Sequence, residues 1–134
     1  MIVVDTNVIA FLLLPGGQTA AARSTWRRDP AWAAPLLWRC ELRVLATSMW
    51  QGHLPLLDAN EVMGIATKLM AGGEFDVRSD AVLRLSSRTR CSAYDCEFVA
   101  LAQELGVTLV TADRQILADF KETAVPLAEH GNIR

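Results

Sequence analysis

Histidine is almost missing from this 134-residue chain: the two copies, His53 and His130, have no motif around them. A Ser-His-Asp or Cys-His enzyme therefore has little support. Cysteine is scarce as well. Cys40, Cys91 and Cys96 are odd in number and lack CxxC spacing, which argues against a disulfide framework or a zinc ribbon and for small buried residues in a reducing compartment. No glycine-rich loop follows the first apolar run, so a P-loop and a dinucleotide fold are not indicated. An aspartyl-phosphate phosphatase would place a second Asp two residues after the first, where this chain has Asn7. Receiver-type phosphorylation would need an adjacent acidic pair and a late-strand lysine, and neither is found. The apolar N-terminal stretch is too short to span a bilayer and has no cationic leader, so a soluble, cytoplasmic protein is expected. Repeats, linkers and low-complexity segments are also lacking. With 51% apolar residues, the chain reads as one compact domain over residues 1–134.

An excess of positive charge is missing too. The net charge of −2 at first argues against a nucleic-acid partner. The cations nevertheless have a pattern: Arg23 with Arg27, Arg39 with Arg43, and Arg84 with Arg88 recur at helical i, i+4 spacing. Eleven of the 13 cationic residues are Arg, the side chain suited to bidentate phosphate contacts, although solvated helix faces would account for any one pair.

Strand and helix signals alternate along the chain. Met1–Val4 is a short, β-branched apolar run followed by Asp5-Thr6-Asn7, which offers capping side chains for a helix starting near Val8. Pro15-Gly16-Gly17 stops that helix, Thr19 to Arg28 forms a second, and Ala31 to Pro35 is a weak strand. Leu36 to Gly52 carries Leu37, Trp38, Leu42, Leu45 and Met49 at helical spacing with Glu41 on the same side. Further helices are expected over Asp58–Met70, Asp80–Arg90 and Ser92–Leu105, the last ended by Gly106. Short strands are expected at Glu74–Val77, Val107–Val110 and Ala124–Leu127, followed by a polar tail. This order predicts an α/β fold with a mainly parallel central sheet covered on both faces.

Two of these strands end in an aspartate, Asp5 and Asp113, and in open parallel sheets ligands bind at the strand carboxyl ends. Either aspartate alone would serve as a helix cap, and Asp95 would gain from the macrodipole of its own helix. Glu41 is harder to explain structurally, because a charge beside an apolar stripe in mid-helix is costly to bury. If the four carboxylates converge, each pair at about 4 Å repels by roughly 4 kcal/mol at an effective dielectric near 20, and a counter-cation is required. All-oxygen ligands favour the hard ions Mg²⁺ or Mn²⁺, which polarise phosphoryl oxygens and activate water. Asn7 and Thr111 stand close enough in sequence to support the acids or orient water, and would serve equally in turns.

The motifs IVVDTNVI, WRCELRVL, SAYDCEFVALAQELG and LVTADRQIL, in that order, resemble those of the PIN-domain nucleases and, among them, the VapC toxins of bacterial toxin–antitoxin pairs. The similarity spans nearly the whole chain. It implies a three-layer α/β/α sandwich and Asp5, Glu41, Asp95 and Asp113 as metal-binding catalytic acids supported by Asn7 and Thr111. It further implies Mg²⁺ or Mn²⁺, endonucleolytic cleavage of RNA, a homodimer and neutralisation by a VapB-like antitoxin. In such a nuclease the paired arginines noted above are the candidates to position the RNA backbone. The competing expectation is a PIN-like module that binds RNA or protein without cutting. Trp26, Trp32, Trp38 and Trp50 cluster after the first helix, where they would either pack the core or seat an antitoxin helix.

Overall fold

The computed structural model describes residues 1–14, 16–49 and 55–132. The stop at Pro15 and the continuation of the third helix to Gly52, with Trp50 and His53, lie outside the described residues. Five short parallel strands, β1 (Ile2–Val4), β2 (Trp32–Pro35), β3 (Glu74–Phe75), β4 (Leu109–Thr111) and β5 (Ala124–Pro126), form one sheet in the order β3-β2-β1-β4-β5. The three middle strands are fully buried, as sequences such as IVV and LVT require when both sheet faces are covered.

The helices are α1 (Thr6–Leu13), α2 (Thr19–Arg28), α3 (Leu37–Val44), α4 (Leu56–Leu69), α5 (Ser79–Arg88), α6 (Ala93–Leu105), α7 (Arg114–Asp119) and α8 (Leu127–Asn132). The chain steps outward from β1 to β2 to β3, then crosses back to β4 and steps outward again to β5. Since parallel crossovers are right-handed, the first steps put α1 to α4 on one face and the later ones put α5 to α7 on the other. The packing agrees: α1 touches α2, α3 and α4, while α6 lies against α5, β1, β2 and β4. The direction of winding reverses between β1 and β4, and a doubly wound sheet opens a crevice at such a point, beyond the strand carboxyl ends.

Two of the glycines bear on how the chain turns and packs. Gly106 ends α6 at φ 67°, a left-handed conformation that other side chains rarely adopt. Gly73 passes so close to β2 that a Cβ would stand 2.0 Å from the carbonyl oxygen of Trp32.

Three expectations need correction, the first being that all three cysteines are buried: Cys91 and Cys96 are, but Cys40 is exposed. The third helix is α-helical only to Val44 and continues over Leu45–Met49 as a π-helical turn. The polar tail is the helix α8, which buries Leu127 and packs on the face of α2 that carries Ala22 and Thr25. Small residues there let the helices approach, so the Arg28 guanidinium donates to the carbonyl of His130, whose Nδ1 lies 3.4 Å from Thr25 Oγ1. Of the two roles open to the tryptophans, Trp32 and Trp38 take the core one, 2% and 0% exposed, while Trp26 is 39% exposed. Among the described residues both buried indole N–H groups lack a hydrogen-bond partner, a cost of about 1–3 kcal/mol each. Among the described residues, no helix is long and apolar enough to cross a membrane.

Candidate active site

Asp5, the residue after β1, takes the N-cap position of α1 but makes no side-chain cap hydrogen bond. Its carboxylate turns toward the neighbouring strand instead, where Oδ2 accepts a 2.8 Å bond from the hydroxyl of Thr111 at the end of β4. Thr111 is fully buried, and its Oγ1 also accepts from the backbone N–H of Asp113 at 3.0 Å. One threonine thus joins the two strand-end aspartates across the reversal point of the sheet. Asp113 does cap its helix: Oδ1 accepts from the N–H of Ile116 at 2.9 Å. Of the two capping roles weighed above, only that of Asp113 is realised.

The other two acids come from helices. Glu41 lies in the middle of α3, half-buried, and the hydroxyl of Thr6 at the start of α1 donates to its Oε1 at 2.7 Å. Thr6 reads from the sequence as one of three capping residues, and its bond to a residue 35 positions away has no local signal. Asp95 lies in the first turn of α6, where Ser92 is the cap and accepts from the Asp95 N–H at 3.1 Å.

The fold brings all four carboxylates to one cleft of about 450 Å³, lined by Asp5, Glu41, Asp95 and Asp113 together with Thr6, Asn7, Leu37, Cys40, Val44, Leu45 and Tyr94. Their electrostatics reflect the crowding. Burial, followed by the nearby charges of Glu41 and Asp95, pushes the carboxyl of Asp5 up to about 6 against the Thr111 hydrogen bond. Burial also raises Glu41, helped by Asp95 and by Glu97, a fifth acid with no distinguishing sequence context, and opposed by the Thr6 bond. Asp95 is raised by burial and by the charge of Asp113. Among the described residues none of the four is in an ion pair. Hydroxyl and amide dipoles steady these acids, and among the described residues no cation pairs with them.

The chemistry of this donor set fits a hard divalent ion: four side chains offer carboxylate oxygens, and among the described residues no histidine lines the cleft and Cys40 is its one sulfur. Among the described residues no three ligand-type side chains are drawn together into a finished metal cage.

The remaining expected site residues divide. Asn7 lines the cleft, and among the described residues its side chain makes no hydrogen bond. None of the six paired arginines lines it. Arg39 is held elsewhere, bidentate on Glu74 of β3 with Nη2 2.7 Å from Oε1, and its guanidinium lies over the Trp38 ring. Arg43 reaches the rim, its Nη1 4.0 Å from the Sγ of Cys40. Arg84 and Arg88 stand exposed on α5, Arg84 3.9 Å from Asp80, and Arg23 and Arg27 lie exposed on α2. The end of α2 lies beside the amino ends of β1 and β2, away from the cleft, where Asp29 pairs with the amino group of Met1 at 2.8 Å.

Comparisons with known proteins agree with this architecture. The family model for the PIN domain matches residues 2–125. Among solved structures, PAE2754 from Pyrobaculum aerophilum is similar with a TM-score of 0.68 at 22% identity, over 97% of this chain and 92% of that one. FitAcB from Neisseria gonorrhoeae is similar with a TM-score of 0.69 at 19% identity, over 95% and 98%. No curated protein matches in sequence.

Proposed function

Because the chain belongs to the PIN domain family, we propose that it is a metal-dependent endoribonuclease, a VapC-like toxin neutralised by a VapB-like antitoxin and acting as a homodimer. The observation that carries this reading is the convergence, in one cleft, of four carboxylates that, among the described residues, have no ion-pair partner.

Asp5, Glu41, Asp95 and Asp113 would hold Mg²⁺ or Mn²⁺. When bound, such an ion polarises a phosphoryl oxygen and makes water nucleophilic near neutral pH. The protein's part is positional. Thr111 fixes the Asp5 carboxylate and the Asp113 backbone in one register, and Thr6 fixes Glu41. The amide of Asn7, at the cleft surface, is free to orient a water or a phosphate oxygen. Arg43, at the rim, is placed to meet a backbone phosphate flanking the cleft; Arg39, spent on Glu74, is not. Arg23, Arg27, Arg84 and Arg88 would act on RNA only where the strand extends well beyond the cleft.

The test is incubation of total RNA with purified protein in Mg²⁺, in Mn²⁺ and in EDTA, beside a folded Asp5→Asn variant. Discrete, metal-dependent fragments that disappear in the variant are expected. Undiminished cleavage by the variant would refute the assignment of the acids. Salt-sensitive RNA binding without products at any metal concentration would transfer the reading to a non-cleaving module.

A further inference from the structure

The cleft has two walls of opposite chemistry, and the acids account for one of them. The other is built from α3 and the π-helical turn after it, where Leu37, Cys40, Val44 and Leu45 stand at i, i+3, i+7 and i+8 and form one stripe with Glu41 as its single charge. The core-facing side of this segment is a different stripe, Trp38, Leu42 and Ala46, buried beneath it. Facing the cleft from α6 is Tyr94, the chain's single tyrosine, 63% exposed, and among the described residues its hydroxyl makes no hydrogen bond. A phosphate group gains nothing from this apolar wall. At about 450 Å³ the cleft also has the size of a site for a ligand as large as a nucleotide.

We propose that Tyr94, with Leu37, Val44 and Leu45 lining the same cleft, is the stacking platform for the base next to the phosphate held at the acids. The proposal rests on the nuclease reading and adds a selection rule to it. Tyr94 precedes Asp95 in the first turn of α6, so ring and carboxylate are carried by one rigid element and the base is gripped at a fixed offset from the bond to be cut. A base inside a duplex has both faces covered by its neighbours. A base in a loop, bulge or single strand offers a free face, and stacking on an aromatic ring tolerates any sequence. Cleavage is therefore directed to unpaired positions by an apolar contact, in a chain whose net charge of −2 gives phosphate contacts little scope to do so.

The experiment uses single-stranded RNA oligonucleotides whose cleavage position is mapped with the wild-type chain, and a matching series with an abasic nucleotide at each flanking position. Tyr94→Ala is expected to lower kcat/KM on the intact strand on the order of ten-fold, and Tyr94→Phe, which keeps the ring, to recover most of that loss. At one flanking position the abasic substrate should cost the wild type about as much and cost Tyr94→Ala nothing more, the coupling that marks a direct contact. Wild-type kcat/KM in Tyr94→Ala, or losses that add at every abasic position, would overturn the proposal while leaving the nuclease standing. Should the wild type cleave nothing, fluorescence anisotropy with the same strands in Mg²⁺ separates the two questions. Weaker binding by Tyr94→Ala on intact but not abasic strands would support the platform, and equal binding, or none by the wild type, would refute it. A changed oligomeric mass with unchanged kcat/KM would make Tyr94 a protein-interface residue and equally refute it.

Discussion

Replacing Asp5 by Asn should make the metal-free chain more stable while disabling it. Asp5 is 8% exposed, and folding moves its carboxyl from an ordinary 3.8 to about 6. A folded-state pKa raised above the unfolded one means that the folded chain holds its proton more tightly. The stability from this group is then complete below pH 3.8, falls as pH rises to about 6, and stays lost above it. At about 1.4 kcal/mol per pH unit, the loss is about 3 kcal/mol at pH 8 and about half of that at pH 5. Asn keeps an oxygen for the Thr111 hydroxyl but buries an amide N–H₂ with no partner assured, which returns about 1 kcal/mol. The net gain of about 2 kcal/mol at pH 8 corresponds to a Tm higher by roughly 6 °C for a chain of this size. The assay is thermal unfolding in EDTA of both proteins between pH 4 and pH 8. The reasoning is refuted if the variant is no more stable at pH 8, or if the difference between the two proteins does not shrink toward pH 4.

Mg²⁺ or Mn²⁺ at about a hundred times its dissociation constant should stabilise the wild type by about 2.7 kcal/mol, read as a rise in Tm that Asp5→Asn and Glu41→Gln largely lose. Gly73→Ala should destabilise by about 3 kcal/mol in urea unfolding, because its Cβ meets the Trp32 carbonyl at 2.0 Å and backbone must move to admit it. Arg39→Ala should cost about 1 kcal/mol of stability, given its partly exposed ion pair with Glu74, and leave the salt dependence of RNA binding unchanged; a reduced salt slope would return Arg39 to the phosphate contacts.

The parts of the fold legible in the sequence are those specified locally. IVV and LVT are short apolar runs that each end at an aspartate, and both became buried central strands beside the cleft. Glu41 stood out because its neighbours along the helix are apolar, and that incongruity pointed to the cleft. What stayed hidden depends on partners distant in sequence. The segment LAEHGN has no helical pattern of its own, and α8 forms where Leu127 is buried and small residues of α2 admit it. Arg39 reads as one half of an exposed arginine pair until Glu74, 35 residues away, is brought beneath it. The apolar residues around Glu41 looked like one stripe. They split between core and cleft because α3 is covered on one side and open on the other.

The way the four charges are held argues for an external cation as the missing partner. A lysine among them would relieve the repulsion, but it would also close the cleft with a permanent ion pair. The chain uses neutral donors instead. Thr6 bonds Glu41, Thr111 bonds Asp5, Asp113 takes an amide of α7, and Asp95 occupies the favourable end of a 13-residue helix. Each donor orients a carboxylate without cancelling its charge. The residual cost is concentrated in Asp5, the most buried of the four: with its carboxyl held up near 6 it is ionised at physiological pH and ready to meet a divalent ion, while protons compete for it at and below about pH 6.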